Sequence, residues 1–399
     1  MTLDSWLDRI QQLHPKAWDL GLERVGEVAR RLGVTRPAPK VVLVAGTNGK
    51  GSTCEMIELL ARRAGLRVGK TTSPHLIRFN ERITIDGQSA TDDEIVAAFE
   101  AIDDVRGDIS LSYFEFGALA AMLIFKQREV DLAVLEIGLG GRLDAMNVVD
   151  PDVSVITRIA LDHQDWLGDD REAIGAEKAG IMRPGKPCIL GDPDPPASVL
   201  DAAAQLSATL HRVGSEFSAD HASLPACPVP GENVAAAVEA ARALGVELDT
   251  RMISDALAGF ALPGRRQWVR TRYPTLLDVA HNPDAAESLA AYLDAEGIVP
   301  CDAVFGCYAD KDIAGLVRAI APRVRRWYLA AMDETRGAKT DELARIVGDS
   351  DGVVAGEYAK VADAYEAALE CAEKSGVILI FGSFNIVGGA LEHLGEQLP

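Results

Sequence analysis

The chain has 399 residues, of which 48% are hydrophobic and 25% are charged. This composition is typical of a globular protein with ample core-forming material, and the length is sufficient for two domains. The formal net charge of −20 argues against a nucleic acid or an acidic membrane surface as a partner, because either one requires a basic protein face.

Targeting signals are not evident in the sequence. Residues 1–10 (MTLDSWLDRI) have neither the basic start nor the apolar core of a signal peptide, and no apolar run approaches the roughly 20 residues of a membrane span. The six cysteines are scattered, without C-x-x-C or zinc-type spacing, which favours unpaired thiols in a reducing compartment. We therefore predict a cytoplasmic protein without a membrane partner.

The first two thirds of the chain alternate short apolar runs with helical patterns. Strands are predicted at 41–45, 131–138, 152–159 and 187–191. A helix follows the first strand and ends at Gly65, and the Pro- and Ala-rich stretch 192–230 is interpreted as a helix and a surface connection. The alternation predicts an α/β fold whose N-terminal domain resembles P-loop ATPases and has a mainly parallel sheet.

A second alternating series follows. Its predicted strands are 275–281, 302–308, 326–332 and 376–383, and its predicted helices are 284–297 and 312–322. This pattern predicts a smaller C-terminal α/β domain of Rossmann-like type. We place the domains at residues 1–266 and 267–399.

Residues 46–53, GTNGKGST, lie between the first predicted strand and its helix. Glycines, a lysine and a helix start are the elements of a phosphate-binding loop, because backbone N–H groups at a helix N-terminus attract anions. The spacing departs from G-x-x-x-x-G-K-[ST], since the first glycine would fall at Val44 and Gly51 follows Lys50. We predict that Lys50 contacts the β- and γ-phosphates of a nucleotide; a plain strand-to-helix turn is the alternative.

The variant loop resembles the A-G-T-N-G-K-[GST]-[ST] loop of the Mur ligase superfamily. Further motifs occur in order along nearly the whole chain, namely TSPHL (72–76), YFEF (113–116), EIGLGGRLDAMN (136–147), LDHQDWLG (161–168), EKAGI (177–181), PGR (263–265) and DVAHNP (278–283). Together they resemble the dihydrofolate synthase/folylpolyglutamate synthase family. The resemblance implies an ATP-dependent ligase that adds L-glutamate to dihydropteroate and to folates through an acyl phosphate.

The resemblance also implies which residues bind the nucleotide. In the loop these are Thr47, Asn48, Gly49, Lys50, Gly51 and Ser52. Asn233 would contact adenine, Arg265 a phosphate and Asp278 the ribose, while His281 would act near the phosphates. Asp278 and Asn282 could instead cap a turn and a helix around Pro283, and the two roles are compatible.

A magnesium site is expected beside the phosphate loop. Glu136 lies at the carboxyl-terminal end of the predicted strand 131–138, where ligands gather in open α/β sheets, and its hard oxygens suit Mg²⁺. The resemblance adds Ser73 and His163, although imidazole is an unusual ligand for so hard an ion. A dinucleotide site at 138–141 is disfavoured, because the third glycine of G-x-G-x-x-G is missing.

Lys178 is the residue for which the resemblance implies a covalent change. The corresponding family lysine is carbamylated, which turns a cation into an anion that supports the metal. Such a change requires a lowered lysine pKa, and therefore a buried position or nearby cations.

Three short segments are implied to hold dihydropteroate. They comprise Leu13, His14 and Pro15, then Ser112, Tyr113, Phe114 and Glu115, and finally Leu143, Asp144 and Ala145. Aromatic side chains such as those of Tyr113 and Phe114 can sandwich a flat pterin. Without the resemblance, Tyr113 and Phe114 would be assigned to the core. The chain departs from the family pattern at Met146, at Arg266 and in the shortened approach to Asn233.

Two other functions remain open on sequence grounds. A cell-wall Mur ligase would carry a further N-terminal domain, which we do not expect because the phosphate loop begins at residue 46. A P-loop ATPase without ligase chemistry would hydrolyse ATP with no requirement for glutamate. No partner protein is indicated, and a monomer is expected.

Overall fold

The computed structural model describes residues 1–14, 19–218, 227–332, 336–372 and 376–395. The chain forms two compact units, of which the first spans Met1–Phe260 and the second begins at Ala261. The domain boundary that we placed at residues 266 and 267 stays a prediction. None of the helices in the described part of the chain is both long and apolar enough to span a membrane.

The first unit contains ten α-helices and eight strands among its described residues. The helices are α1 Leu3–Leu13, α2 Glu23–Leu32, α3 Lys50–Arg63, α4 Asp92–Arg106, α5 Tyr113–Gln127, α6 Gln164–Leu167, α7 Arg171–Ala179, α8 Ala197–Gln205, α9 Gly231–Ala243 and α10 Thr250–Ala258. The strands are β1 Lys40–Ala45, β2 Val68–Thr71, β3 Ile83–Ile85, β4 Gln88–Ser89, β5 Leu132–Glu136, β6 Val153–Ile156, β7 Pro187–Leu190 and β8 Thr209–Arg212.

The eight strands form one sheet in the order β4-β3-β2-β5-β1-β6-β7-β8. All neighbours from β2 to β8 run parallel, and only β3 and β4 are antiparallel to their partners. The prediction of a mainly parallel sheet is therefore confirmed. Because parallel strands end at the same edge, the loops after β1, β2, β5, β6 and β7 share one edge of the sheet.

The central position of β1 follows from its sequence. Its residues 41–45 (VVLVA) are fully buried, as expected for a strand covered on both faces. Helix α3 follows directly and packs against β2, β5, α9 and α10, while α5 packs against α4 and β2. Both α4 and α5 begin with a capping box, formed by Thr91 with Glu94 and by Ser112 with Glu115.

The second unit has a six-stranded sheet. Its strands are β9 Gln267–Arg270, β10 Pro274–Asp278, β11 Cys301–Phe305, β12 Val324–Ala330, β13 Val354–Tyr358 and β14 Ile378–Phe381, in the order β13-β12-β11-β14-β10-β9. Its helices are α11 Pro283–Ala295, α12 Ile313–Ile320, α13 Thr340–Asp349, α14 Val361–Cys371 and α15 Phe384–Leu394. Only β9 is antiparallel, so the predicted C-terminal α/β fold is also confirmed.

The stretch 192–230 differs from its sequence interpretation. It contains the expected helix, α8, but also β8, which pairs in parallel with β7 at the edge of the sheet. The residues of β8 (TLHR) are partly exposed and do not alternate apolar with polar side chains, so the strand gave no periodic signal. Residues 219–226 lie outside the described part of the chain.

Candidate active site

The phosphate loop is a tight turn between β1 and α3. Gly46 has φ of 151°, and a Cβ at this position would lie 1.8 Å from the hydroxyl oxygen of Thr157. Gly49 has φ of 88°, and a Cβ there would lie 2.5 Å from Oδ1 of Asn233. Both glycines are thus required by backbone conformation and by close packing. The structure places Asn233, at the start of α9, directly against the predicted phosphate loop.

Lys50 is the first residue of α3, and its side chain folds back over the loop. The Nζ atom donates to the carbonyl oxygens of Gly46 at 3.0 Å and Thr47 at 3.1 Å. The lysine ammonium and the N-terminal N–H groups of α3 therefore lie together, which is the arrangement that binds phosphate oxygens.

The loop is also bonded to the segment that follows β6. The N–H of Thr47 donates to the carbonyl of Arg158 at 2.7 Å. Its hydroxyl donates to the carbonyl of Ala160 at 2.9 Å and accepts from the N–H of the same residue at 3.0 Å. The Thr157 hydroxyl donates to the carbonyl of Asn48 at 2.7 Å. These contacts fix Thr47 and Asn48 against a neighbouring loop of the same edge.

Glu136 and Ser73 meet beside the phosphate loop. Glu136 is the buried last residue of β5, and its Oε2 accepts from the N–H of Ser73 at 3.0 Å. A Cβ built on Gly51 would lie 3.8 Å from the same oxygen. A buried carboxylate thus faces the loop at the position where the magnesium site is predicted, and its hard oxygens suit that ion.

His163 lies in the loop after β6, with a left-handed backbone conformation (φ 53°) at the N-cap of α6. Its backbone N–H donates to Oδ1 of Asp162 at 2.9 Å, and its Nε2 lies 4.0 Å from that atom. Leu161 and Trp166, which are 46% and 48% exposed, present large apolar side chains on either side of it in sequence. Within the described residues there is no group of three or more His, Cys, Asp or Glu side chains that could hold a metal ion.

Lys178 is buried in α7, and its environment lowers the pKa of its ammonium to about 7. Burial is the main cause and the charge of Lys50 adds to it, while Asp162 and Asp144 oppose the shift. The condition that carbamylation requires, a buried lysine near another cation, is therefore met.

The loop 138–144 lies against the helix that carries Lys178. The N–H of Arg142 donates to the carbonyl of Glu177 at 2.9 Å, and its guanidinium pairs with the Glu177 carboxylate at 2.7 Å. Asp144 accepts from the N–H groups of Leu139 and Met146, each at 2.9 Å. Burial nevertheless raises the pKa of Asp144 to about 7.

The 112–115 segment forms the first turn of α5. The N–H of Ser112 donates to Oε2 of Glu115 at 2.7 Å, and the N–H of Glu115 donates to Oγ of Ser112 at 3.3 Å. Tyr113 packs edge-on against Phe79 at 5.7 Å, with the guanidinium of Arg82 5.5 Å from its ring. Packing, the alternative to substrate binding for the aromatic residues, is thus observed for Tyr113, and Ser112 and Glu115 cap the helix.

The other pteroate candidates are connected to this segment. A Cβ on Gly138 would lie 2.5 Å from the ring of Phe114, and the N–H of Gly21 donates to the carbonyl of Leu143 at 3.2 Å. Ala145 begins a short 3₁₀ turn, and Leu13 ends α1. Pro15 lies outside the described residues.

Asp19 and Arg24, for which the sequence gave no functional signal, also belong to this region. Nε2 of His14 lies 3.4 Å from Oδ2 of Asp19, which pairs with Arg24. Arg24 in turn donates to Oε1 of Glu115 at 3.1 Å. A short polar chain therefore links the N-terminal segment to α5. An arginine in an ordinary amphipathic helix gave no signal of this in the sequence.

In the second unit, Asp278 is buried at the carboxyl end of β10. Its Oδ2 accepts from the N–H of Arg266 at 3.0 Å, and its Oδ1 accepts from the N–H of Ala280 at 2.8 Å. Burial raises the pKa of this carboxyl group, while the guanidinium groups of Arg265 and Arg266 oppose the shift. Turn capping, the alternative considered for Asp278, is therefore present.

Arg265 and His281 lie near the same strand end. The guanidinium carbon of Arg265 is 5.0 Å from the centroid of the Phe384 ring, and the centroid of the His281 ring is 6.0 Å from the same centroid. Nδ1 of His281 lies 2.9 Å from the carbonyl oxygen of Val279. Asn282 caps α11 by accepting from the N–H of Ala285 at 2.9 Å. The structure thus gathers the predicted residues of this unit around one strand end.

Comparison with known proteins identifies the family of the chain. Residues 44–219 match the model of the Mur ligase middle domain, and residues 264–384 match that of the Mur ligase glutamate ligase domain. The dihydrofolate synthase/folylpolyglutamate synthase of Escherichia coli K12 is 45% identical over 98% of this chain and 95% of its own. The chain belongs to the dihydrofolate synthase/folylpolyglutamate synthase family. The resemblance inferred from the motifs is confirmed.

Solved structures of the family match both units. Escherichia coli FolC in complex with DHPP and ADP superposes with a TM-score of 0.95 at 43% identity, covering 99% of this chain and 98% of its own. A Yersinia pestis folylpolyglutamate synthase/dihydrofolate synthase complexed with AMPPNP and a Mn ion gives 0.93 at 43% identity, over 99% and 98% of the two chains. These relatives bind adenine nucleotides and, in the second case, a divalent metal.

Proposed function

We propose that this chain is an ATP-dependent ligase that adds L-glutamate to dihydropteroate, forming dihydrofolate, and to folates. The observation that carries the proposal is the match over 99% of the chain to a relative that holds DHPP and ADP. The phosphate loop, Glu136 and Lys178 of this chain support it. Family membership disfavours a P-loop ATPase without ligase chemistry and a Mur ligase with another carboxylate substrate.

The chemistry begins with a carboxylate, which is a poor electrophile. The substrate carboxylate attacks the γ-phosphate of ATP, and an acyl phosphate and ADP result. The α-amine of glutamate then attacks the activated carbonyl, the amide forms and phosphate leaves. Because two anions approach each other in the first step, positive groups at the phosphate must reduce their repulsion. Lys50 and the N–H groups at the start of α3 supply that charge.

Magnesium is the metal we assign to this site. Mg²⁺ is commonly held by one or two carboxylates together with substrate phosphates, and the buried carboxylate of Glu136 beside Gly51 fits that need. Ser73, which donates its N–H to Glu136, and His163 are the other proposed ligands. When bound, the metal stabilises charge on the transferring phosphoryl group.

Lys178 is proposed to react with carbon dioxide. With a pKa of about 7, a substantial fraction of its amine is neutral at physiological pH. The amine nitrogen would attack CO₂ and release a proton, which leaves a carbamate anion on the side chain. Lys50, whose charge acts on Lys178, would stabilise that anion.

The substrate roles follow the same residues. We assign dihydropteroate to Leu13, His14, Pro15, to Ser112, Tyr113, Phe114, Glu115, and to Leu143, Asp144 and Ala145. The chain of polar contacts from His14 through Asp19 and Arg24 to Glu115 supports a shared site for the first two segments. Capping and packing already occupy several of the side chains, so their peptide groups and ring faces are the expected contacts.

For the nucleotide, we propose that Asn233 contacts the adenine of ATP. The loop residues proposed to bind ATP are Thr47, Asn48, Gly49, Lys50, Gly51 and Ser52. In the second unit, we assign the ribose to Asp278 and phosphate contacts to Arg265 and His281. The gathering of these three side chains at the end of β10 supports their common role. We further propose that the protein is a cytoplasmic monomer. Light scattering would measure its mass in solution.

An omission assay tests the function. Phosphate release from ATP and Mg²⁺ is measured with dihydropteroate and L-glutamate together, and then with each left out in turn. We expect release only when both are present, with dihydrofolate identified by mass spectrometry. ATP hydrolysis that is indifferent to both substrates would instead indicate a P-loop ATPase and overturn the proposal. Replacement of dihydropteroate by tetrahydrofolate tests the second reaction.

A further inference from the structure

We propose that Arg171 and Asp192 form a clamp that positions three parts of the active site relative to one another. These parts are the phosphate loop, the loop that carries His163 and the helix that carries Lys178. The Arg171–Asp192 clamp consists of positioning residues, since neither is assigned a contact with a substrate. The inference rests on the proposed function through the roles given to those three parts.

The carboxylate of Asp192 is the centre of the clamp. Its side chain is completely buried just after β7. Oδ2 accepts from the N–H of Ile159 at 2.8 Å and from the guanidinium of Arg171 at 3.2 Å, while Oδ1 accepts from the N–H of Asp194 at 2.9 Å. A buried carboxylate with these donors is fixed in one orientation.

Arg171 holds the other side of the same peptide segment. Its Nε donates to the carbonyl of Ile159 at 3.0 Å, and its terminal nitrogens bond to the carbonyl and the carboxylate of Asp194 at 2.5 and 3.2 Å. The N–H and C=O of Ile159 are therefore both fixed, one by each member of the clamp.

Ala160, the residue after Ile159, links the fixed segment to the phosphate loop. Both backbone polar groups of Ala160 are bonded to the hydroxyl of Thr47. The N–H and C=O groups of Ile159 are thus bonded to the clamp, and those of the next residue, Ala160, are bonded to the phosphate loop. Displacement of Ile159 would move Ala160 and with it Thr47.

The remaining two parts begin at the clamp as well. His163 follows Ile159 by four residues in the same loop. Arg171 is the first residue of α7, and Lys178 lies seven residues, or about two helical turns, further along that helix. Residues that orient metal-site and phosphate-site groups in this way typically change affinity or activity by about 10- to 100-fold when they are removed.

The control is a second arginine–aspartate ion pair in the first unit, whose aspartate side chain is 20% exposed. Asp103 accepts from Arg106 at 2.6 Å and from Arg9 at 2.7 Å, within and next to α4. It is bonded to none of the three active-site parts in these contacts. Asp103→Ala therefore reports the effect of losing a comparable ion pair on stability alone.

The test compares Asp192→Ala, Arg171→Gln and Asp103→Ala in the full-length chain. For both clamp variants we expect kcat for glutamate ligation to fall, and KM for ATP to rise, by about tenfold or more, with unchanged KM for glutamate. Asp103→Ala should lower the melting temperature with wild-type kcat and KM. Hydrogen exchange should increase at residues 157–163 in the clamp variants only.

Several outcomes would overturn the clamp. Wild-type kcat and KM in a folded Arg171→Gln variant, or a parallel loss in Asp103→Ala, would show that the pair acts only on stability. If Asp192→Ala does not fold, Asp192→Asn and Arg171→Lys provide milder changes. A wild-type protein that forms no glutamyl product would instead refute the proposed function, so the two failures are distinguishable.

Discussion

At the residue scale, the side chain of Lys50 is held across the loop to which we assign phosphate binding. Its ammonium is bonded to two carbonyl oxygens of the loop, so it points across the turn instead of into solvent. A cation in that position stabilises negative charge that develops on a transferring phosphoryl group.

We predict that Lys50→Ala abolishes amide formation and leaves the fold intact. The expected loss in kcat is at least on the order of 10²-fold, as for other groups that stabilise transition-state charge. Coupled phosphate release and circular dichroism measure the two effects. The control is Lys126→Ala, because Nζ of Lys126 also donates to a backbone carbonyl, that of Gly33 at 2.6 Å. Retained ligation in Lys50→Ala would exclude the loop from the mechanism.

Lys178 leads to a prediction about pH and carbon dioxide. Because burial lowers its pKa to about 7, the reactive neutral amine increases as pH rises through that value. Enzyme depleted of CO₂ should lose most of its activity, and bicarbonate should restore it more fully at about pH 8 than at about pH 6.

Carbamylation can also be observed directly. Wild-type protein with ¹³C-labelled bicarbonate should show a carbamate resonance that Lys178→Met lacks and Lys186→Met retains, since Lys186 pairs with Asp150 at 3.0 Å on a part-exposed site. Activity that is indifferent to bicarbonate, together with an unchanged spectrum in Lys178→Met, would refute the modification.

Single residues differ in how much of their role the sequence reveals. Lys50 begins the helix after β1 and Glu136 ends β5, both in recognisable patterns, and the structure brings both to one edge of the sheet. Arg24, Arg171 and Asp192 had no such pattern. Their importance depends on partners 91, 12 and 33 residues away in the chain, and no local spacing can encode such contacts.

At the element scale, the packing of α3 against β2 contains a buried ionic cluster. Nζ of Lys70 in β2 lies 2.7 Å from Glu58 of α3 and is bonded to Glu55 of the same helix. Burial alone would lower the pKa of Lys70, but the two carboxylates raise it. The contribution of the charged lysine to folding stability is therefore present at neutral pH, and it is lost as alkaline pH rises through the raised pKa of the folded lysine.

We predict that Lys70→Met destabilises the first unit by about 3–5 kcal/mol, because the fully buried carboxylate of Glu58 and the part-buried carboxylate of Glu55 both lose the lysine as their partner. Chemical denaturation at pH 7 measures the change. The triple variant Lys70→Met, Glu55→Gln, Glu58→Gln should recover much of the loss. Arg128→Met, which removes an exposed pair with Glu94, should have an effect below about 1 kcal/mol. Equal stability of Lys70→Met and wild type would contradict the role of the cluster.

The same cluster shows why elements were not equally predictable. Strands β1 and β5 are uninterrupted apolar runs, and the sequence located both. Strand β2 (VGKT) places a charged side chain in the core, and only the tertiary pairing with α3 makes it acceptable there. Short strands at the sheet edge, such as β8, lack buried faces that would produce a periodic pattern.

At the scale of the whole molecule, the two α/β units differ in size, and each contains residues to which we assign nucleotide contacts. The alternation of strands and helices predicted both folds, because parallel sheets require helical crossovers and buried strands. The order of strands within each sheet could not be predicted from that alternation, since it depends on long-range pairing such as β1 between β5 and β6.

We predict that Asp278→Ala, in the second unit, weakens ATP binding by about 10- to 100-fold, the loss expected for a charged hydrogen-bonding group. Titration calorimetry with ATP measures it. Asp312→Ala is the control in the same unit, because Asp312 only caps α12 by accepting from the N–H of Gly315 at 2.8 Å. Equal ATP affinity in Asp278→Ala and wild type would remove the second unit from nucleotide recognition.

The exposed indole of Trp166 offers an optical use for the geometry around His163. Trp6 and Trp327 are buried in the two cores and Trp268 is 43% exposed, so Trp268→Phe would leave Trp166 as the exposed indole among the described residues. Trp166 lies three residues from a proposed metal ligand and is half exposed, so its fluorescence responds to the polarity of its surroundings. Titration of magnesium and nucleotide against that emission would follow occupancy in real time without an attached dye.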